Sequence, residues 1–190
     1  DEAILTAILH DLRSIDPEVR PVVLSWDPAR TWRRDAVEAV HWQDLRGLLQ
    51  TARQAELILV GGGGLFQDIW GFDPEGYLRR GMAGISAYGS LPLLGRLLGV
   101  PCLLYSVGVG PLHSALARRH TCRAVEYCDL AILRDDHSRQ QLIQAGCGLS
   151  APDQAPLRVK PDPAFGLAAP DWARERAEDR WRRLGFSADS

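Results

Sequence analysis

The chain has 190 residues, of which 46% are hydrophobic and 24% are charged, and its formal net charge is -2. These values are typical of a globular protein with a hydrophobic core, and they exclude a strongly basic nucleic-acid-binding surface and a long acidic tail. No apolar run approaches the ~20 residues that a membrane-spanning helix requires, so we predict no integral membrane segment and no nucleic-acid partner.

The cysteines indicate neither a metal site nor a redox motif. Cys102, Cys122, Cys128 and Cys147 form no C-x-x-C pair, and none lies near a histidine at zinc-ligand spacing. We interpret them as buried or incidental thiols and predict no metal site. Such thiols suggest a reducing compartment, so we expect a cytoplasmic location.

The predicted elements alternate between helix and strand from the first residues on. Apolar residues at helical spacing in DEAILTAILHDLRSID indicate the first helix, and valine-rich PVVLS indicates the first buried strand. Up to residue 60, we predict a helix over 1–16, a strand over 21–25, a loop rich in Trp and Arg over 26–35, a short strand over 37–40, a helix over 45–55 and a strand over 56–60.

The same alternation continues to the end of the chain. Five glycines between residues 74 and 98 indicate two helices there, with a break near Gly89 and Pro92. Beyond them, we predict a strand over 102–107, a helix over 115–127, a strand over 129–133, a helix over 136–145, a strand over 157–160 and a helix over 172–184.

This order of elements predicts an α/β fold, a doubly wound parallel sheet with helices on both faces and right-handed crossovers. Ligands of such sheets bind outside the carboxyl ends of the strands. Residues that directly follow strands are therefore the candidates for function.

The first candidate is the run Gly61 to Gly64 after ELILV. Four glycines leave peptide N–H groups uncovered, so a loop here could wrap an anion. The alternative is a tight turn where a helix crosses closely over the sheet. A phosphate-binding loop of the GxxxxGK[ST] kind is excluded because the lysine is missing. Gln67 and Asp68 follow the run, and Asp68 is either a helix N-cap or a polar group in the cleft.

The second candidate is YSVGVGPLHS, where Gly108 and Gly110 precede His113. A histidine beside a glycine loop at a strand end can act as a proton donor, because imidazole titrates near neutral pH. The alternative is a surface or capping histidine.

The third candidate is AILRDDHS, in which Arg134 follows a buried strand. A guanidinium at that edge suits bidentate capture of a carboxylate or phosphate. Asp135 could hold it in place while Asp136 or Ser138 caps the next helix; the alternative is a purely structural Arg–Asp pair.

In PDPAF, Asp162 follows the last strand. We predict that Arg134 and the glycine run share one pocket for a small dianion.

Five segments in this order resemble the polysaccharide pyruvyl transferase family. They are DEAIL, GGGGLFQD, YSVGVGPL, LRDDHS with its helix ending in AG, and PDPAF, and the similarity extends from Asp1 to about Phe165. The resemblance implies the Rossmann-like half of a two-domain protein of glycosyltransferase-B-like architecture. Residues 1–168 would form a domain that lacks its first strand, and 169–190 a helical segment that is a linker or the start of the second domain.

Members of this family move the enolpyruvyl group of phosphoenolpyruvate onto a sugar of a cell-wall or surface polysaccharide and form a ketal. The resemblance implies a bacterial, cytoplasmic transferase of cell-wall biogenesis with phosphoenolpyruvate as donor, no cofactor, and a glycan or lipid-linked sugar as acceptor. Peripheral membrane association is left open. Because partner groups would lie on the second domain, we expect the isolated chain to be inactive.

Within that family, His113 and Asp68 are the expected catalytic residues. The residues expected to bind substrate are Gly61, Gly62, Gly63, Gly64, Gln67, Gly108, Gly110, Arg134, Ser138 and Asp162. The alternatives are a sugar-nucleotide-dependent glycosyltransferase and a non-catalytic binding module.

Overall fold

The computed structural model describes residues 2–76, 84–148, 157–167 and 171–183. The helices are α1 (Glu2–Ile15), α2 (Pro28–Asp35), α3 (Leu45–Gln54), α4 (Ile85–Leu98), α5 (Ala115–Glu126), α6 (Asp136–Gln144) and α7 (Asp171–Arg183), with a 3₁₀ helix at Pro163–Gly166. The strands are β1 (Val22–Ser25), β2 (Glu38–His41), β3 (Ile58–Phe66), β4 (Cys102–Val109), β5 (Leu130–Leu133) and β6 (Leu157–Val159). None of the described helices is both long and apolar enough to cross a membrane.

All described strand pairs are parallel. β1 pairs with β2, and a separate four-stranded sheet has the order β3-β4-β5-β6. The predicted α/β, Rossmann-like class is therefore confirmed. The short strand near 37–40 is also confirmed, as β2.

The two sheets share one hydrophobic core and present their carboxyl ends at the same edge. Leu24 of β1 packs against the core that lies between the larger sheet and α4 and α5. Trp42, which follows β2 directly, contacts Tyr88 in the first turn of α4 with ring centroids 5.9 Å apart. Because α4 begins near the carboxyl end of β3, this contact places the ends of β2 and β3 together.

The glycine run lies inside a strand, so its prediction as a loop is wrong. Gly61 pairs with Tyr105 of β4, and Gly63 pairs with Val107. Helix α1 crosses the strand closely at this point. A Cβ added at Gly61 would lie 2.7 Å from Ile8 Cδ1, and one at Gly62 would lie 2.6 Å from a carbon of Ile4. The absence of side chains at these two positions therefore serves helix packing.

Two further predictions fail, one through helix capping and one through packing. The Trp- and Arg-rich segment forms α2, because Asp27 caps it by accepting the Arg30 N–H and Pro28 suits a first helical turn. Helix α4 runs without a break through Gly89 and Pro92, which are both buried, so packing outweighs the lost backbone hydrogen bond. The first of the two helices expected here falls partly on residues 77–83, outside the described residues.

The interpretation of all four cysteines as thiols is also wrong. Cys122 and Cys147 form a disulfide that joins α5 to the end of α6, while Cys102 and Cys128 are free and buried. The expected cytoplasmic location therefore loses the support that it drew from the cysteines.

Candidate functional site

The candidate site lies where the chain leaves β3 and β4. The Gly110 N–H donates to the Phe66 carbonyl at 2.7 Å, and the Asp68 N–H donates to the Pro111 carbonyl at 3.2 Å. The peptide bond between Gly110 and Pro111 is cis. These bonds fasten the two loops to each other, so residues that follow β3 meet residues that follow β4.

Asp68 and His113 form a pair across these loops. Oδ1 of Asp68 lies 2.9 Å from Nδ1 of His113 and accepts the His113 backbone N–H at 2.8 Å, while Oδ2 accepts the Ser114 N–H at 2.8 Å. The Asp68 side chain is only 4% exposed, whereas that of His113 is 68% exposed. The structure therefore brings together the two residues that were expected to be catalytic.

The surroundings of Asp68 keep its carboxylate ionised. Burial raises its pKa, but hydrogen bonds from the N–H groups of His113 and Ser114 outweigh burial and hold the pKa below the ordinary value for aspartate. Both N–H groups lie at the start of α5, whose dipole also favours a negative charge there. Asp68 is therefore not the N-cap of a helix. Ser114 caps α5 by accepting the Ala117 N–H, and Asp68 holds the backbone of the two residues that precede this helix.

This arrangement leaves one nitrogen of His113 available for chemistry. Nδ1 is held by Asp68, and Nε2 has no hydrogen-bond partner within the described part of the chain. An imidazole oriented by a fixed carboxylate can give or take a proton at its other nitrogen. The pair can therefore perform acid–base chemistry at the carboxyl edge of the sheet.

Arg134 lies over Gly108 at the same edge. A Cβ added at Gly108 would lie 2.6 Å from both Cζ and Nε of Arg134, so the guanidinium occupies the space that a side chain on β4 would fill. Arg134 follows β5, which neighbours β4, so its side chain covers Gly108 on the strand that lies next to β3.

Asp135 orients this guanidinium and caps α6. Its Oδ2 accepts the Nε–H of Arg134 at 3.2 Å, and its Oδ1 accepts the Ser138 N–H at 2.7 Å. Burial raises the pKa of Asp135, but the hydrogen bonds with Ser138 and the charge of Arg134 outweigh burial and hold the pKa below the ordinary value for aspartate. Both terminal nitrogens of Arg134 lack a partner among the described residues, so they can donate to an anion. The cap expected at Asp136 or Ser138 is thus Asp135.

Three other predicted residues have structural partners. Ser138 is 1% exposed and its Oγ accepts the Val109 N–H at 3.0 Å, so it joins α6 to β4. Asp162 caps the 3₁₀ helix by accepting the Ala164 N–H at 2.9 Å. At Gly110, φ is +98° and an added Cβ would meet Gln141 at 2.5 Å, so a larger residue is excluded.

Of the glycine run, Gly63 and Gly64 remain nearest the site. Gly63 pairs with Val107, the neighbour of Gly108, and an added Cβ at Gly64 would lie 3.5 Å from the Gln67 amide. A register shift between Gly63 and Phe66 interrupts the ladder with β4, which frees backbone groups there.

Two features of this edge were missed from the sequence. Ser106 is buried at φ +55°, and its hydroxyl donates to the carbonyls of Lys160 and Pro161, which fixes the segment before Asp162. A row of aromatic rings joins the end of β1 to α4. Nothing in the pattern around Ser106 marks it, whereas Trp26 directly follows a predicted strand and Trp42 lies two residues after another.

Comparison with known proteins gives one match. The family model described as polysaccharide pyruvyl transferase matches residues 1–189. No curated protein and no solved structure shows significant similarity to the chain.

Proposed function

Because the chain belongs to the polysaccharide pyruvyl transferase family, we propose that it forms the donor-binding and proton-transfer side of an enzyme that moves pyruvyl from phosphoenolpyruvate to a glycan. The observation that carries the proposal is the pair formed by buried, ionised Asp68 and exposed His113. It supports a reaction in which a proton must be delivered and removed at one edge of the sheet.

The chemistry needs both proton transfer and capture of a dianion. A proton adds to the methylene carbon of phosphoenolpyruvate, and a sugar hydroxyl adds to C2 and loses its own proton. A second hydroxyl of the same sugar then displaces phosphate from C2 and gives a ketal, while its proton leaves with phosphate or buffer. One sugar diol and one phosphoenolpyruvate thus yield one pyruvyl ketal and one inorganic phosphate.

His113 is the residue that we assign to the proton transfers. When the imidazole is protonated, its Nδ1–H stays hydrogen-bonded to Asp68, and the proton on Nε2 can be given to the methylene carbon. The neutral ring can then take the proton of the attacking hydroxyl. Asp68 acts as a positioning residue, because a carboxylate with a lowered pKa and three N–H donors is a poor proton carrier.

Arg134 is the group that we assign to the donor anion. Its two terminal nitrogens suit a carboxylate or phosphate, and Asp135 fixes the plane of the guanidinium. Backbone groups near Gly63 and Gly64 would supply further donors. In a glycosyltransferase-B-like arrangement, a second domain would face this edge and complete the cleft around both substrates.

The test is the release of phosphate from phosphoenolpyruvate by the full-length enzyme with a panel of hexose-containing polysaccharides. We expect His113→Gln to lower the rate by on the order of 10²–10⁴-fold. His10→Gln, a change of an exposed histidine on α1, serves as the matched control and should keep the rate. An unchanged rate in His113→Gln contradicts the assignment. Thermal stabilisation by a nucleotide sugar but not by phosphoenolpyruvate would favour a glycosyltransferase instead.

A further inference from the structure

An aromatic platform lies at the carboxyl ends of β1 and β2. Trp26 follows β1 directly and Trp42 follows β2 directly. Their rings are nearly parallel, with centroids 6.4 Å apart and planes at 24°, and the His41 ring meets Trp26 edge-on at 5.8 Å. We use "platform" for these three residues. Tyr88 continues the row from Trp42 into α4.

Trp26 is the exposed member of the platform and is held in a defined position, while His41 and Trp42 are half-buried. The side chain of Trp26 is 50% exposed, so burial does not account for its location. Ser25 and Thr31 share a hydrogen bond between their hydroxyls at 2.7 Å, and the Asp27 N–H donates to the Ser25 hydroxyl at 3.0 Å. These bonds fix the turn that carries Trp26. A rigid, flat apolar surface is therefore presented to solvent.

His41 adds one oriented polar group beside the rings. Its Nδ1 accepts the Gln43 N–H at 3.1 Å, so in the neutral ring the hydrogen is on Nε2. Nε2–H has no partner among the described residues and can donate to a hydroxyl. A flat apolar face with a hydrogen-bond donor at its side matches a pyranose ring, which has an apolar C–H face and a rim of hydroxyls.

The platform lies at the same edge as the Asp68–His113 pair. Trp42 contacts Tyr88 in the first turn of α4, and Ser86 in that turn donates to the Asp73 carbonyl at 2.6 Å. Asp73 belongs to the loop that leaves β3 through Asp68. A continuous set of contacts thus connects the platform with the loop that carries Asp68.

We propose that Trp26 and Trp42 bind a hexopyranose ring of the acceptor glycan, with His41 donating to one of its hydroxyls. This inference rests on the proposed function, because it identifies where that reaction would hold its acceptor. The sugar would stack its C–H face on the exposed side of Trp26.

Binding can be measured without the donor, by saturation-transfer NMR of the chain with methyl glycosides of glucose, galactose and mannose. Sorbitol, an open-chain polyol, is the control ligand. We expect transfer to the ring protons of at least one glycoside, and at least about tenfold weaker binding in Trp26→Ala, which corresponds to ~1.4 kcal/mol. Trp42→Phe should weaken binding less.

Trp32→Ala is the matched control, because Trp32 is 60% exposed on α2 and makes no ring contact in the described part of the chain. It should bind the glycosides as the wild type does. Circular dichroism checks that each variant folds.

Equal binding by the wild type and Trp26→Ala overturns the proposal. So does the absence of any glycoside binding, or the finding that Trp26→Ala only converts a dimer to a monomer. If glycosides bind to the platform but the full-length enzyme releases no phosphate from phosphoenolpyruvate, the reaction assigned above fails and the sugar site stands. If the enzyme is active and Trp26→Ala leaves the acceptor KM unchanged, the sugar site fails alone.

Discussion

Asp68 Oδ1 lies 2.9 Å from Nδ1 of His113, and the same carboxylate accepts the backbone N–H groups of the two residues that directly precede α5. One buried anion therefore stabilises the fold and orients the imidazole. Any change to Asp68 should alter both properties, whereas a change to His113 alone should affect the chemistry and leave the helix cap in place.

Replacing Asp68 with Asn should lower the free energy of unfolding by about 2 kcal/mol near neutral pH, because a charged acceptor of two backbone N–H groups is lost. The pKa of Asp68 is lower in the folded chain than in the unfolded chain. Its contribution is therefore complete above the unfolded value of about 3.9 and is lost as pH falls through the folded pKa.

Urea denaturation at a series of pH values measures this effect. The stability difference between the wild type and Asp68→Asn should shrink below about pH 4. Asp16→Asn is the control, because Asp16 is exposed and accepts one N–H, from Glu18. A difference that stays constant over the whole pH range would contradict the role of the Asp68 charge.

Replacing Arg134 with Ala should raise the KM for phosphoenolpyruvate by about 10–100-fold in the full-length enzyme, as expected for loss of a hydrogen bond to a charged group worth ~1.5–3 kcal/mol. Lysine should restore only part of the affinity, since it lacks the planar fork. Arg139→Ala on the exposed face of α6 is the control. If Arg134→Ala affects only the acceptor KM, Arg134 does not bind the donor.

Replacing Gly108 with Ala should reproduce the Arg134→Ala phenotype with little loss of stability. The new Cβ would lie 2.6 Å from Cζ of Arg134, and the flexible guanidinium would have to move away. Gly166→Ala, where an added Cβ meets nothing within 4 Å, is the control. Donor affinity and the melting temperature are measured together. A large drop in melting temperature with normal donor affinity would show that Gly108 serves packing alone.

Replacing Gly61 with Ala should destabilise the fold by about 1–3 kcal/mol through overpacking, because the added Cβ would lie 2.7 Å from Ile8 Cδ1. The double variant with Ile8→Val removes that carbon and should recover part of the loss. Gly64→Ala, whose nearest contact would be at 3.5 Å, should be tolerated. Normal stability with lost donor binding in Gly61→Ala would restore the anion-binding interpretation of this position.

Most of the element order could be predicted from the sequence, because it depends on local periodicity. The periodic apolar pattern of α1 and the continuous apolar run of β5 predict their elements directly. The predictions for the glycine run and for Pro92 failed because the outcome there depended on tertiary contacts. The run from Gly61 to Gly64 is typical of a loop, yet pairing with β4 and packing under α1 hold it in a strand. At Pro92, burial outweighs the propensity of proline to break a helix.

The sequence was enough to select candidate site residues, but it did not show which groups they contact. The rule that ligands bind at strand ends selected Asp68, His113 and Arg134. That Asp68 accepts the backbone N–H of His113 could not be foreseen, since it depends on the approach of two loops 45 residues apart. The burial of Ser138 and the alignment of Trp26 with Trp42 likewise follow from packing that no local pattern encodes.

The separation into two sheets has a consequence for handling the chain. Among the described strands, β1 hydrogen-bonds only to β2, and β3 hydrogen-bonds only to β4. The other edge of each of these strands carries backbone N–H and C=O groups that no described strand pairs. Unpaired strand edges are templates on which further strands assemble. Concentrated samples of the chain are therefore expected to aggregate through these edges, and a lysine at Val23 would oppose such aggregation.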